Sequence, residues 1–361
     1  MGICIAVYQI TMHTMMQQTR SICVVPKNKD EPSNQEALIL LSNKLREGRL
    51  GMDDYEYIVV HTEDYVSVVQ LHHREHGNTM HLKIEIYDAF KQLSVDPKTR
   101  VVIVTGDGDN FCAGIDMNGE HKELLCYLGS SEQDYKKYIS AEDTKKKNED
   151  PARQALSLCQ RIEHCQKAFT AVENCPKPVI AAVQGQCIGG GFGLVTACDI
   201  RLATQNAVFV LKEMNVAVIL ELSHLPKITK HSAWLRKIAF TGRRFDAAEA
   251  LKHCRLFLIL DCPVEVILID LIIPLGVVSK VYDSEKELLR AAQKMARRIA
   301  EKSPASVQTT KAILNFARDH KRKDTAKFGQ TLNMLGVMSA DVKESVKGVD
   351  DSNEMLEFDE Y

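Results

Sequence analysis

The sequence predicts an α/β protein with a helical C-terminal part. Between about residues 55 and 284, segments with the residue pattern of strands alternate with segments of helical periodicity. The run VVIV, residues 101–104, is continuously apolar, which is typical of a strand buried on both faces of a sheet. After about residue 285, amphipathic helical segments follow one another.

Composition is that of an ordinary soluble globular protein. Apolar residues make up 45% of the chain and charged residues 26%, and the formal net charge is −2. This balance gives no indication of a nucleic-acid partner. The 11 cysteines include no CxxC pair, so neither a disulfide framework nor a zinc cluster is predicted.

Residues 1–53 are predicted to form an N-terminal tail or leader. Residues 26–53 are polar and rich in charge, and residues 1–29 contain no Asp or Glu. The lack of acids is a weak match to an organellar transit peptide. The terminal FDEY is not a peroxisomal signal of the SKL type. We therefore expect the folded body to begin near residue 54.

The core is predicted over residues 54–284, with its elements in a regular order. Two strands around a turn come first, in 57–73, and are followed by a helix in 80–97 that its proline closes. The later elements are a strand in 99–106, a helix in 152–175, a strand in 175–185, a helix in 189–204 and a strand in 207–216.

Residues 254–275 do not fit this pattern. They are strongly apolar but are interrupted by Asp261, Pro263, Glu265 and Asp270, so they make a poor membrane span. The segment is either an added hydrophobic loop or the product of a mis-spliced gene model. A helical region is predicted over 285–348, and an acidic tail over 349–361.

Two glycine-containing turns follow strands that are predicted to be buried. They are TGDGDNFCAGID, residues 105–116, and QGQCIGGG, residues 184–191. A glycine-rich turn that leads into a helix leaves backbone N–H groups free to stabilise an anion. The two turns could hold one oxygen between them, or the glycines could serve only to make turns. A dinucleotide site is disfavoured because GDGDNF lacks the third glycine of GxGxxG.

The segments FCAGID, residues 111–116, and CPKPVIAAVQGQCIGGG, residues 175–191, resemble the enoyl-CoA hydratase/isomerase (crotonase) superfamily. The resemblance covers most of residues 55–345, and within the superfamily LVTACDIR and LKEMNV look most like the dienoyl-CoA isomerases. It implies a crotonase fold, a ClpP/crotonase-like spiral of repeated ββα units with a C-terminal helical trimerisation region.

The resemblance gives the two turns a role in binding a fatty acyl-CoA thioester. In this family, two backbone N–H groups bind the thioester oxygen, and the matching positions are Ile115 and Gly190. Preformed donors at these positions would stabilise the enolate that forms when a proton is removed beside the thioester. The implied substrate-binding residues are Ala113, Gly114, Ile115, Asp116, Met117 and Gly190.

Two glutamates are implied to move protons. Glu213, in LKEMNV, matches a family glutamate that hydratases and isomerases share, and Glu221 stands eight residues later, where dienoyl-CoA isomerases carry an aspartate. Two acids allow one to remove a proton from one end of a conjugated system while the other returns a proton to the far end. The segment after Glu221 is about three residues shorter than the family pattern, which leaves a surface role open for Glu221.

Gly193 departs from the family, which often has an acid at this position. Hydration uses two acids, here and at the Glu213 position, so a glycine argues against a hydratase. It argues less against an isomerase, because single-acid enoyl-CoA isomerases need only the Glu213 position. The resemblance to the dienoyl-CoA isomerases therefore implies conversion of 3,5-dienoyl-CoA to 2,4-dienoyl-CoA in fatty-acid β-oxidation.

Three alternatives stay open: a Δ3-Δ2-enoyl-CoA isomerase, an enoyl-CoA hydratase, and a non-catalytic protein that binds acyl-CoA. The resemblance further implies no metal or redox cofactor, since coenzyme A is part of the substrate. It also implies homotrimers or homohexamers, and a mitochondrial or peroxisomal location.

A rival pattern is His72-x-x-Glu75-His76, the HxxEH motif of inverted zinc metallopeptidases. That motif works when a helix places both histidines on one face. Here it follows a strand-like segment and precedes Gly77, a turn residue. The helical context that a zinc site needs is therefore not predicted.

Overall fold

The computed structural model describes residues 55–72, 83–114, 151–216, 222–229, 231–251, 255–261, 266–272 and 276–342. Eleven strands and ten helices lie in these ranges. The strands are β1 Ile58–Glu63, β2 Val66–Leu71, β3 Val101–Gly106, β4 Val179–Val183, β5 Gln186–Ile188, β6 Ile200–Thr204, β7 Val208–Val210, β8 Arg244–Asp246, β9 Arg255–Asp261, β10 Val266–Ile272 and β11 Lys280–Tyr282. The helices are α1 Lys83–Val95, α2 Pro151–Asn174, α3 Gly190–Ala197, α4 Glu213–Val216, α5 Leu225–Ile228, α6 Ser232–Thr241, α7 Ala247–Leu251, α8 Glu285–Ala300, α9 Pro304–Asp319 and α10 Arg322–Val337.

The main sheet has six strands in the order β1-β2-β3-β4-β6-β11. Only β1 is antiparallel to its neighbour, and the other pairs are parallel. A second sheet has the order β5-β7-β8, with β5 and β7 parallel and β8 antiparallel to β7. The first glycine-rich turn follows β3, the three consecutive glycines follow β5, and Glu213 follows β7.

The two faces of the main sheet are buried against different helices. Val102 and Val104 of β3 lie in a core that includes residues of α1 and α2, whereas Val101 and Ile103 pack with α8. Because successive residues of a strand point to opposite faces, burial of both faces requires an uninterrupted apolar strand. This accounts for the VVIV run.

Two of the predicted elements were too long. The helix predicted over 189–204 ends at Ala197, and its last part is strand β6; the strand predicted over 207–216 ends at Val210. The carboxylate of Asp199 accepts a hydrogen bond of 2.7 Å from the N–H of Val179, which ties this residue to the start of β4. The chain therefore leaves the helix and joins the sheet beside β4.

The apolar segment 254–275 contains a separate antiparallel pair, β9 and β10. Within the residues that the structure describes, no helix combines the length and apolarity that crossing a bilayer requires. The predicted tails, 1–53 and 349–361, lie outside the described residues.

Candidate active site

The first glycine-rich turn lies alongside β5, the short strand that lies within the second turn. The N–H of Phe111 donates to the Gln184 carbonyl at 2.8 Å. The N–H of Cys112 donates to the Gln186 carbonyl at 2.9 Å, and Ile188 donates back to the Cys112 carbonyl at 2.9 Å. These bonds make a parallel bridge between two segments that are far apart in sequence. The two turns are thus held side by side.

The close approach of the turns requires glycine at two positions. A Cβ atom at Gly191 would overlap the side chain of Cys112. Gly114 has a φ of 88°, in the left-handed region, and a Cβ there would lie 3.1 Å from Cγ2 of Ile188. The glycines therefore serve both the turn conformation and the contact between the turns.

Gly190 begins helix α3, so its N–H has no acceptor within the same helix. The preceding residue, Gly189, has a φ of 55° and donates its N–H to the carbonyl of Val210 at 2.8 Å. Every residue of α3 is buried. Phe192 anchors the helix through edge-to-face contacts with Phe209 and Phe245, whose ring centroids are 5.7 and 5.6 Å away.

Glu213 begins the short helix α4, three residues after Val210. Val210 is the residue that accepts the Gly189 hydrogen bond, so the chain enters α4 directly from the neighbourhood of the second turn. The side chain is only 6% exposed, and its Oε2 has no hydrogen-bond partner among the described residues. Burial raises the pKa of Glu213, while its own backbone N–H has a smaller, opposite effect.

A buried carboxyl group of this kind is suited to exchanging protons. The charged form is disfavoured because burial takes it out of water, so the group gains a proton more readily than an exposed glutamate. Ionisable groups perturbed by burial in this way are concentrated at functional sites. Glu213 is therefore chemically competent as an acid or a base.

The structure describes four of the eight residues that the sequence proposed for the site. Ala113 and Gly114 in the first turn, Gly190 in the second and Glu213 in α4 follow strands that end at the same region of the two sheets. The other four, Ile115, Asp116, Met117 and Glu221, lie outside the described residues. Their roles stay predictions.

Gly193 faces helix α2 from the interior of α3. A Cβ atom at this position would lie 3.3 Å from Cε1 of Phe169, whose side chain is 1% exposed. An added side chain would require the phenyl ring to move by a few tenths of an ångström. The position at which the family often has an acid is therefore closely packed against an aromatic ring.

Sequence reasoning missed Gln184, which ties the first turn to the second. Its Nε2 donates to the carbonyls of Gly106 and Gly108, at 2.8 and 3.1 Å. Gln184 is 2% exposed. Its place before a glycine gave no indication of this role, because both acceptors are more than 70 residues away.

His72, from the rival zinc pattern, lies at the end of β2. Its Nδ1 is 2.7 Å from Oδ2 of Asp107, the residue after β3. Glu75 and His76 lie outside the described residues. The histidine is thus part of a polar pair beside the first turn.

Comparison with known proteins identifies the family. The sequence model described as enoyl-CoA hydratase/isomerase matches residues 61–148 and 143–256. The mitochondrial Δ(3,5)-Δ(2,4)-dienoyl-CoA isomerase of Mus musculus is 33% identical over 300 residues, covering 81% of this chain and 79% of the relative. The peroxisomal Δ(3,5)-Δ(2,4)-dienoyl-CoA isomerase of Arabidopsis thaliana is 32% identical over 305 residues, covering 82% and 95%.

Solved structures show the same fold. The crystal structure of an enoyl-CoA hydratase from Bacillus anthracis superposes with a TM-score of 0.64 at 22% identity, covering 85% of this chain and all of that one. This likeness confirms the predicted crotonase fold. The isomerase relatives, which span most of the chain, confirm the prediction of an isomerase enzyme. The chain belongs to the enoyl-CoA hydratase/isomerase family.

Proposed function

We propose that this enzyme converts 3,5-dienoyl-CoA to 2,4-dienoyl-CoA. The observation that carries the proposal is Glu213, a buried carboxyl group whose Oε2 has no hydrogen-bond partner in the part of the chain that the structure describes. It follows the strand that is bonded to the second glycine-rich turn. The named relatives in mouse and Arabidopsis support this substrate class.

The proposed reaction moves a proton from one end of the diene to the other. One carboxylate removes a proton from the carbon beside the thioester, and the electron pair of that C–H bond delocalises toward the thioester oxygen. The N–H groups of Ile115 and Gly190 stabilise the resulting oxyanion. A carboxylic acid then gives a proton to the far carbon, a new C–H bond forms, and both double bonds shift.

We propose that Glu213 and Glu221 share these two proton transfers. The raised pKa of Glu213 supports its part, because acid–base groups work best when their pKa is near the working pH. Glu221 is assigned from the resemblance alone. A metal or redox cofactor has no role in this scheme, because the thioester itself accepts the electron pair.

The test offers three substrates separately to the purified enzyme and follows ultraviolet absorbance. We expect turnover of 3,5-dienoyl-CoA to a conjugated 2,4-dienoyl thioester. Activity on 3-enoyl-CoA alone would favour the single-acid isomerase. Activity on 2-enoyl-CoA alone would establish a hydratase and contradict the interpretation of Gly193. Binding of CoA thioesters without turnover of any would establish the non-catalytic alternative.

We also propose that the enzyme acts in fatty-acid β-oxidation as a homotrimer or homohexamer, in mitochondria or peroxisomes. Large apolar side chains on the C-terminal helices support self-association, since Leu314, Met334 and Val337 are 62 to 70% exposed. The mitochondrial and peroxisomal relatives support the location. Light scattering on the full chain and imaging of a tagged protein in cells test these two points.

A further inference from the structure

A buried histidine joins the chain that follows Glu213 to helix α2. His224 is 3% exposed and immediately precedes α5. Its Nε2 lies 3.0 Å from Oε2 of Glu173, near the end of α2. The two residues are 51 positions apart, so the contact joins separate parts of the fold.

The same carboxylate also contacts helix α9. Nη2 of Arg318 lies 3.0 Å from Oε1 of Glu173, and Nδ2 of Asn315 donates to the Glu173 carbonyl at 3.2 Å. The hydrogen bond with His224 is the main cause that lowers the pKa of Glu173; burial opposes it, and the charges of His224, Arg318 and Lys227 reinforce it. Three elements therefore meet at one ionised carboxylate.

Helix packing connects this cluster with the proposed chemistry. Leu222 packs against the core, and Leu225 is 2% exposed. Helix α6 packs against both α4, which begins at Glu213, and α5, which His224 immediately precedes. Holding α5 against α2 thus supports the helix on which α4 packs.

We propose that His224 is a positioning residue for proton transfer. Its contact with Glu173 holds α5 in place, and α5 packs with α6, the helix against which α4 and Glu213 lie. The inference rests on the proposed function, in which Glu213 and Glu221 are the acid–base groups. A small displacement of such groups is enough to slow a reaction about 100-fold, even when the altered residue lies outside the site.

The test measures kcat and KM of the full-length enzyme for 3,5-dienoyl-CoA. We expect His224→Leu and Glu173→Gln each to lower kcat about 10-fold or more, with KM changed less than about threefold, because the acid–base geometry and not substrate binding is disturbed. His224→Arg, which keeps a nitrogen donor to the Glu173 carboxylate, should recover most of the rate. The double variant His224→Leu/Glu173→Gln should lose no more than either single variant, as expected for one shared contact.

Asp319→Asn is the matched control. It breaks the exposed Lys227–Asp319 ion pair, which joins the same segment to α9, and should leave kcat within about twofold. If His224→Leu does not fold, Glu173→Gln and His224→Gln take its place. Folded variants with wild-type kcat, or with a lower Tm and no change in kcat, would overturn the positioning role. Full activity of Glu213→Gln would instead overturn the proposed function.

Discussion

Glu213 and Asp199 are two carboxylates of the same core in opposite circumstances. Oδ2 of Asp199 lies 2.7 Å from the N–H of Val179 and 2.7 Å from Nζ of Lys311, which is itself 7% exposed. Oε2 of Glu213 is buried without such a partner among the described residues. The contacts of the first carboxylate hold β4, β6 and α9 together. The second is left able to react.

Hydrogen bonding distinguishes a structural carboxylate from a reactive one better than burial does. A buried polar group usually has hydrogen-bond partners, and one without them costs free energy of folding. A fold keeps such a group where reactivity compensates for that cost. Substitution of Glu213 should therefore change mainly the turnover rate, and loss of the Asp199 contacts should change mainly the free energy of unfolding.

Glu213→Gln should give the largest effect, a loss of about 100-fold or more in kcat, because it removes the proposed proton-transferring group without changing the size of the side chain. The measurement is steady-state turnover of 3,5-dienoyl-CoA. Glu163→Gln is the control, since Glu163 is exposed and pairs only weakly within α2. Equal rates for the two variants would remove Glu213 from the mechanism.

Lys311→Met should disturb the Asp199 carboxylate and lower the stability of the fold. Removal of the ammonium group leaves the buried end of the Asp199 carboxylate without its cation, so unfolding by denaturant should show a loss of about 3 kcal/mol. The kcat of the folded fraction should not change. Lys227→Met, in an exposed pair, should cost less than about 1 kcal/mol. A similar cost for both would show that burial of Lys311 has no special importance.

Gly191→Ala tests the contact between the two turns. The new Cβ would overlap Cys112, so the turns must separate, and we expect a loss of about 1–3 kcal/mol together with a higher KM. Gly336→Ala is the control in helix α10, where a Cβ would have no atom of the described residues within 4 Å. That change should stabilise the protein by up to about 1 kcal/mol. Destabilisation by Gly336→Ala alone would contradict this account of the packing.

The pH dependence of stability should show the smallest effect. Because burial raises the pKa of Glu213, its contribution favours folding at low pH and is lost as pH rises through the folded-state pKa. The Glu213→Gln variant does not lose stability in this way, because a glutamine side chain does not ionise. The Tm of the variant should therefore exceed that of the wild type at neutral pH, and the gap should narrow as pH falls below the ordinary range of a glutamate. A gap that widens in acid would contradict the direction of the pKa shift.

Sequence patterns predicted those elements whose conformation depends on residues that are neighbours in the chain. The apolar run of β3 indicated burial on both faces, and the Asp96–Pro97 pair indicated the end of α1, which the structure places at Val95. The glycine-rich turns were also visible, because a turn and its glycines are neighbours in sequence. Family resemblance, rather than any single pattern, singled out Glu213.

Contacts between distant residues could not be predicted in this way. The boundary between α3 and β6 depends on Asp199 reaching Val179, and the packing of Gly193 depends on Phe169. No periodicity within either segment indicates its partner. The same holds for His224 and Glu173, which are ordinary polar residues until the fold brings them together.

The contact between Cys112 and Gly191 also bears on how activity arises during folding. These residues are 79 positions apart, so the chain must close a long loop before the two turns meet. An intermediate with only one of the turns in place would retain native secondary structure but could not form the proposed two-sided site for a thioester oxygen. Turnover should consequently appear late in refolding, after most of the helical signal has returned.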